Sequence, residues 1–190
     1  MKLSLKDTVK TALPLFLICV IIAGALGMTN ELTKEPIAAM EAAAEQAARQ
    51  EVLPGAVAFE AIQVSGAEFA PDAAYDSSKN LIGYIVVTTG TGYGGTLKVM
   101  TGFNLEGEIS GVSVISQNET VGLGTKCEKE EFRDQFKQEV PKDGFVVYKS
   151  GAAPDNGIEA ITSATRTSNA VVSAVNTAIE LYQTVSKGVK

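Results

Sequence analysis

Histidine is missing from all 190 residues. Without an imidazole the chain cannot build a Ser-His-Asp or Cys-His nucleophilic pair or a histidine metal site. Cysteine is scarce too, with Cys19 and Cys127 as its two representatives, so no four-cysteine zinc or iron–sulfur site fits within the chain. Cys19 falls inside an apolar run and Cys127 in a distant polar region; a disulfide would draw one of them out of lipid, and both read as free thiols. Positive charge is also in short supply: 16 Lys and Arg stand against 22 Asp and Glu, a net charge of −6. Nucleic acid is therefore excluded as a partner, because phosphate backbones need a basic face. Any redox centre has to be organic or borrowed from another chain.

Charge is absent altogether from residues 11–30, and twenty helical residues at 1.5 Å each span about 30 Å, the thickness of a bilayer core. Lys2, Lys6 and Lys10 precede the run, whereas Glu31, Lys34 and Glu35 follow it. The positive-inside bias then places residues 1–10 in the cytoplasm, residues 11–30 across the membrane and residues 31–190 outside. The alternative is a cleavable signal peptide ending near Ala23-Gly24-Ala25. A lipoprotein signal fits less well, since Cys19 follows Ile18 where a small residue belongs.

Residues 35–51 are rich in Ala, Glu and Gln, with Pro36 suited to a first helical position and Leu53-Pro54-Gly55 ending the pattern. A helix leaving the membrane is expected there. Apolar and β-branched stretches at 57–64, 81–89, 96–103 and 109–116 predict a largely antiparallel sheet, with Asn104-Leu105-Glu106-Gly107 as a hairpin turn. Glu128 to Phe136 suits a short helix presenting Phe132 and Phe136 on one side, and Phe145 to Tyr148 a short strand. From Ser168 to Val185 the spacing of Val171, Val172, Val175, Ile179, Tyr182 and Val185 makes an amphipathic helix. The expected fold is α+β: a twisted sheet packed on a C-terminal helix, with one N-terminal transmembrane helix.

Just before that last helix stands Ile161-Thr162-Ser163-Ala164-Thr165-Arg166-Thr167-Ser168, five hydroxyls and an arginine. A helix start presents unpaired N–H groups and the positive pole of the helix dipole, a natural seat for phosphate. The plainer reading is a hydroxyl cap. A second cluster, Gln117 to Thr125, holds Gly122-Leu123-Gly124, where backbone could approach a flat ligand while the leucine covers its face. Gly92-Tyr93-Gly94-Gly95 is a third, with turn glycines as its plainer reading.

In their order and spacing these segments, with Asn30-Glu31-Leu32-Thr33 and Glu51-Val52-Leu53-Pro54, resemble the FMN-binding G subunit of the Rnf electron-transport complex and, more distantly, the C subunit of the sodium-pumping NADH:quinone oxidoreductase. The resemblance implies FMN attached covalently through its phosphate to Thr165, the last residue of a motif usually written Ser/Thr-Gly-Ala-Thr. This chain departs from the pattern at Ser163 (usually Gly), Gln117 (often His) and Val121 (commonly Pro). Implied cofactor contacts are Thr162, Ser163, Ala164, Thr167, Gly94, Gly95, Glu119 and Thr120, with Leu123 on the ring and Lys149 near it as a cation. Also implied are electron relay within an ion-translocating ferredoxin:NAD+ oxidoreductase, other Rnf subunits as partners, a flavin transferase for maturation, and no ferredoxin or nicotinamide site. Two rival readings are an anchored or secreted flavoprotein serving an extracytoplasmic acceptor and a flavin-free binding or scaffold domain.

Overall fold

A computed structural model describes residues 5–64 and 66–188; Lys2 of the expected basic flank lies outside them. Two units divide the chain, one up to Ala43 and one from Ala44 onward. The first is the exposed part of helix α1, Leu5–Val52. Its apolar residues from Leu13 to Met28, Cys19 among them, face outward, and by length and composition the helix suits a membrane crossing. One expectation is corrected here. No second helix starts at Pro36: α1 runs unbroken through both Pro14 and Pro36. A proline inside a helix removes one N–H bond, and both prolines lie on exposed stretches of α1.

The second unit is built on five strands, β1 (Ala58–Ala61), β2 (Asp72–Tyr75), β3 (Leu81–Thr91), β4 (Thr96–Asn104) and β5 (Ile109–Ser116). They lie in sequence order, each antiparallel to the next. Period-two alternation gives this sheet two apolar faces. Tyr84, Val86, Leu97, Val99 and Phe103 join α3 (Thr165–Gly188) in one core. Ile85 and Met100 join Ala48 and Val52, at the end of α1, and Leu53 just after it in the other.

Each helix comes close to the sheet because a glycine stands beneath it. A Cβ on Gly90 would sit 2.1 Å from the Ala170 carbonyl oxygen of α3, and one on Gly102 2.4 Å from the Val52 carbonyl oxygen of α1. Side chains add direction. The buried Thr88 hydroxyl donates to the Ala174 carbonyl at 2.8 Å, and Arg49 pairs with Asp72 at 2.7 Å. Phe103 stacks on Tyr182 with ring centroids 4.4 Å apart.

Between β5 and α3 the chain is more broken than the sequence suggests. The expected helix at 128–136 is a 3-10 turn (Gly124–Glu128), one α-turn α2 (Glu130–Arg133) and a second 3-10 turn (Asp134–Phe136). Phe132 and Phe136 are nevertheless buried edge to face, 5.8 Å apart. Cys127 is wholly buried beside them, and burial, helped by the charges of Glu128 and Glu119, pushes its thiol up to about 12. Two short strands, β6 (Val146–Tyr148) and β7 (Gly157–Glu159), then pair in parallel and lead into α3.

The contact at Gly102 is testable. Gly102→Ala should destabilise a form lacking residues 1–30 by about 2 kcal/mol or more, because backbone, and not a pliant side chain, stands in the way. Urea unfolding measures it; an unchanged midpoint would show that the end of α1 does not press on β4 in solution.

Candidate functional site

Among the described residues no side chain caps the start of helix α3. Ala164 occupies the N-cap: its carbonyl accepts the Ser168 N–H at 3.0 Å, and alanine has no oxygen to offer the first-turn donors. The hydroxyls that could have capped the helix are engaged elsewhere. Ser168, wholly buried, accepts from the Ile161 N–H at 2.9 Å and donates to the Ala164 carbonyl at 3.1 Å, while the buried Thr167 donates to Glu119 Oε2. The N–H groups of Thr165, Arg166 and Thr167 thus stand at the positive end of a 24-residue helix with no acidic residue in its first turn. Thr165 is half-buried there, and Thr162, Ser163 and Arg166 are exposed. An anion is what this end accommodates.

Glu119 sits at the centre of the site, 7% exposed. Its Oε1 accepts from the Gly94 N–H at 2.9 Å, so the hairpin tip between β3 and β4 is drawn toward the start of α3. The glycines next to it leave room for this carboxylate. A Cβ on Gly124 would lie 2.5 Å from the Glu119 Cβ. Gly122, with φ of 80°, supplies the turn before it.

A cleft of about 280 Å³ lies among Tyr93, Glu119, Thr120, Leu123, Gly124, Ser163, Ala164, Thr165, Arg166 and Thr167. Its neighbour, about 580 Å³, shares Thr165 and Arg166 and extends past Gly90 toward Ser173. Seven of the residues named from sequence therefore converge on one cleft, and Gly94 holds its rim. Thr162 opens instead on a third depression of about 300 Å³ with Lys126 and Lys129. Gly95, with φ of 135°, shapes the hairpin tip. Lys149 is not brought into the cleft wall; it follows β6 with its side chain exposed, and Tyr148 before it pairs with Glu159. Sequence reasoning did not name Tyr93 or Arg166 as site residues, although both stood inside the quoted motifs. An aromatic set between turn glycines was the available signal for Tyr93.

Ser163 is one of two non-glycine residues at positive φ among those described, at 65°. It is the third residue of a turn closed by the Ala164 N–H on the Ile161 carbonyl at 2.9 Å, a position that favours glycine. The turn thus gives a backbone reason for glycine at this position, and the serine side chain is exposed. Ser163→Gly should stabilise the fold by about 1 kcal/mol and raise the melting temperature by roughly 2–4 °C. A thermal scan that shows a lower melting temperature would contradict the strain.

The FMN-binding domain family matches residues 92–180, and the RnfG N-terminal region matches residues 1–52. The G subunit of the Na(+)-translocating ferredoxin:NAD(+) oxidoreductase complex of Acetobacterium woodii is 38% identical over 197 residues, covering 96% of this chain and 95% of its own. The G subunit of the ion-translocating oxidoreductase complex of Methanosarcina acetivorans is 29% identical, with 96% and 98% covered. Among solved structures, Shewanella oneidensis NqrC overlays with a TM-score of 0.52 at 17% identity, over 70% of this chain and 72% of that one, a likeness of fold. By its identity with these full-length relatives, the chain belongs to the family of Rnf-complex G subunits and carries that family's FMN-binding domain.

Proposed function

We propose that this chain is an electron-relay subunit of an ion-translocating ferredoxin:NAD+ oxidoreductase complex, with FMN held covalently by a phosphoester on Thr165. The observation that carries the reading is the uncapped start of α3, where a half-buried hydroxyl lies among free N–H groups at the edge of a cleft. The residues present fit the cofactor. A phosphate on Thr165 Oγ would meet the first-turn N–H groups and the Arg166 guanidinium, which offset its charge. Tyr93 and Leu123 offer an aromatic and an aliphatic wall for a flat ring system, and Thr120 a hydroxyl between them.

FMN, when bound, supplies reversible uptake and release of electrons one or two at a time. The chain's part is to hold the group in place, cover one edge of it and leave the other open to a partner. Neither ferredoxin nor NAD+ is assigned a site on this chain; other subunits of the complex bring electrons and take them away. Lys149, near the end of β6, is kept as a second cation on the approach, and a flavin transferase as the agent of attachment. Thr165→Ala should abolish covalent flavin while costing the fold no more than about 0.5–2 kcal/mol. In-gel flavin fluorescence with intact mass reads both states, the wild type heavier by FMN less one water. Fluorescence retained by the variant would move the attachment elsewhere.

The same reading anchors the chain by α1, residues 11–30 in the bilayer, with the flavin domain on the extracytoplasmic side. Its support is the basic flank ahead of the apolar run and the net-acidic chain beyond it. A covalent link suits such a placement, because a flavin lost outside the cytoplasm could not be replaced there. Glu106, exposed at the β4–β5 turn, offers a labelling position. In a Cys19→Ser background, Glu106→Cys should react with a membrane-impermeant maleimide on cells whose inner membrane is intact. Labelling only after that membrane is broken would reverse the orientation.

A further inference from the structure

Both oxygens of the Glu119 carboxylate are committed within the protein, Oε1 to the Gly94 N–H and Oε2 to the Thr167 hydroxyl. Three chain segments meet at this side chain: the hairpin tip at 92–95, the loop after β5 that carries Glu119, and the first turn of α3. The fit leaves no slack. A Cβ on Gly92 would lie 2.1 Å from Glu119 Oε1, and one on Gly94 1.8 Å from the Asn118 carbonyl oxygen. Tyr93 is 75% exposed, so its own packing does little to hold the tip. What holds it is the Gly94 N–H on Glu119, with the Gly92 N–H on the Gly95 carbonyl at 2.8 Å closing the turn.

From this geometry we infer that Glu119 is a positioning residue of the cofactor cleft and not a ligand of the flavin. It ties the walls that carry Tyr93, Leu123 and Thr165 into one preformed cradle. The inference rests on the FMN reading given above for its purpose, but the tie itself belongs to the protein alone. Gln at 119 keeps an oxygen for Gly94 and an amide N–H₂ beside Thr167. Ala at 119 leaves both partners unpaired and frees the hairpin tip.

Hydrogen exchange at the Gly94 amide tests the tie in flavin-free Thr165→Ala protein, and flavin content tests its purpose in chains that retain Thr165. Glu119→Ala should speed exchange at Gly94 by about tenfold or more, the loss of one protected hydrogen bond, and should slow flavin incorporation. Glu119→Gln should restore both and leave the vibrational frequencies of the flavin ring carbonyls unchanged. Should Glu119→Ala fail to fold, Thr167→Val serves: it cuts one arm and should speed Gly94 exchange, with Thr167→Ser restoring it. Unaltered Gly94 exchange in Glu119→Ala, or in Thr167→Val, overturns the tie. Shifted ring frequencies in Glu119→Gln with exchange unchanged would make Glu119 a direct ligand and overturn the assignment. Wild-type protein without flavin after co-expression with a flavin transferase would refute the FMN reading, while the exchange results would still decide the tie.

Discussion

Where α3 crosses β3 there is no room for even a methyl group: a Cβ on Gly90 would stand 2.1 Å from the Ala170 carbonyl oxygen. This backbone-to-backbone approach sets the height of α3 over the sheet, and the Thr88 hydroxyl on the Ala174 carbonyl fixes its rotation one turn further on. With both settled, the first turn of α3 arrives beside the end of β3 and the hairpin that follows it. Thr165 therefore shares a cleft with Tyr93, more than seventy residues earlier in the chain, because of how closely Gly90 admits α3. The cleft is a by-product of how the helix is seated.

The opposite face obeys the same rule with different residues. Val52, at the end of α1, presses its carbonyl toward Gly102 and its Cα toward Gly111, and the Ser110 hydroxyl donates to that same carbonyl. Around this contact Glu51 accepts from Arg133 and from the Ser113 hydroxyl, and Arg49 lies over the Phe59 ring while pairing with Asp72. Ion pairs that keep some exposure each contribute modestly; the close apolar packing beneath them contributes more. Clamped on two faces, the central strands β3 and β4 make a stiff platform, which is what a site formed by loops at one end of a sheet needs.

Strong periodicity made much of this readable in advance. The α3 stripe from Val171 to Val185 and the β-branched runs of β3, β4 and β5 carry their own pattern, so they were legible from sequence. β2 was not, since Asp72-Ala73-Ala74-Tyr75 has weak strand preference and is a strand because β1 and β3 pair with it on either side. Three-residue β7 is too short to show any period. The prolines misled: Pro36 marks a helix start by local rules, and an exposed helix tolerates it in the interior. At the site, the hydroxyl motif and the glycine loop were visible as strings, but not the reason for the glycines. That reason is a carboxylate reached only in three dimensions, as with Gly124 against Glu119.

Such a knot also constrains how the sequence can drift. Gly92, Gly94 and Gly124 stand so close to Glu119 or its neighbour Asn118 that a lone side chain there would collide, whereas Glu119 and Thr167 admit only replacements that keep their hydrogen bonds. Thr162 and Ser163 are exposed and less constrained by packing, with backbone strain at Ser163 alone of the two. Relatives should differ from one another first along the exposed lip of the turn and last around the buried carboxylate.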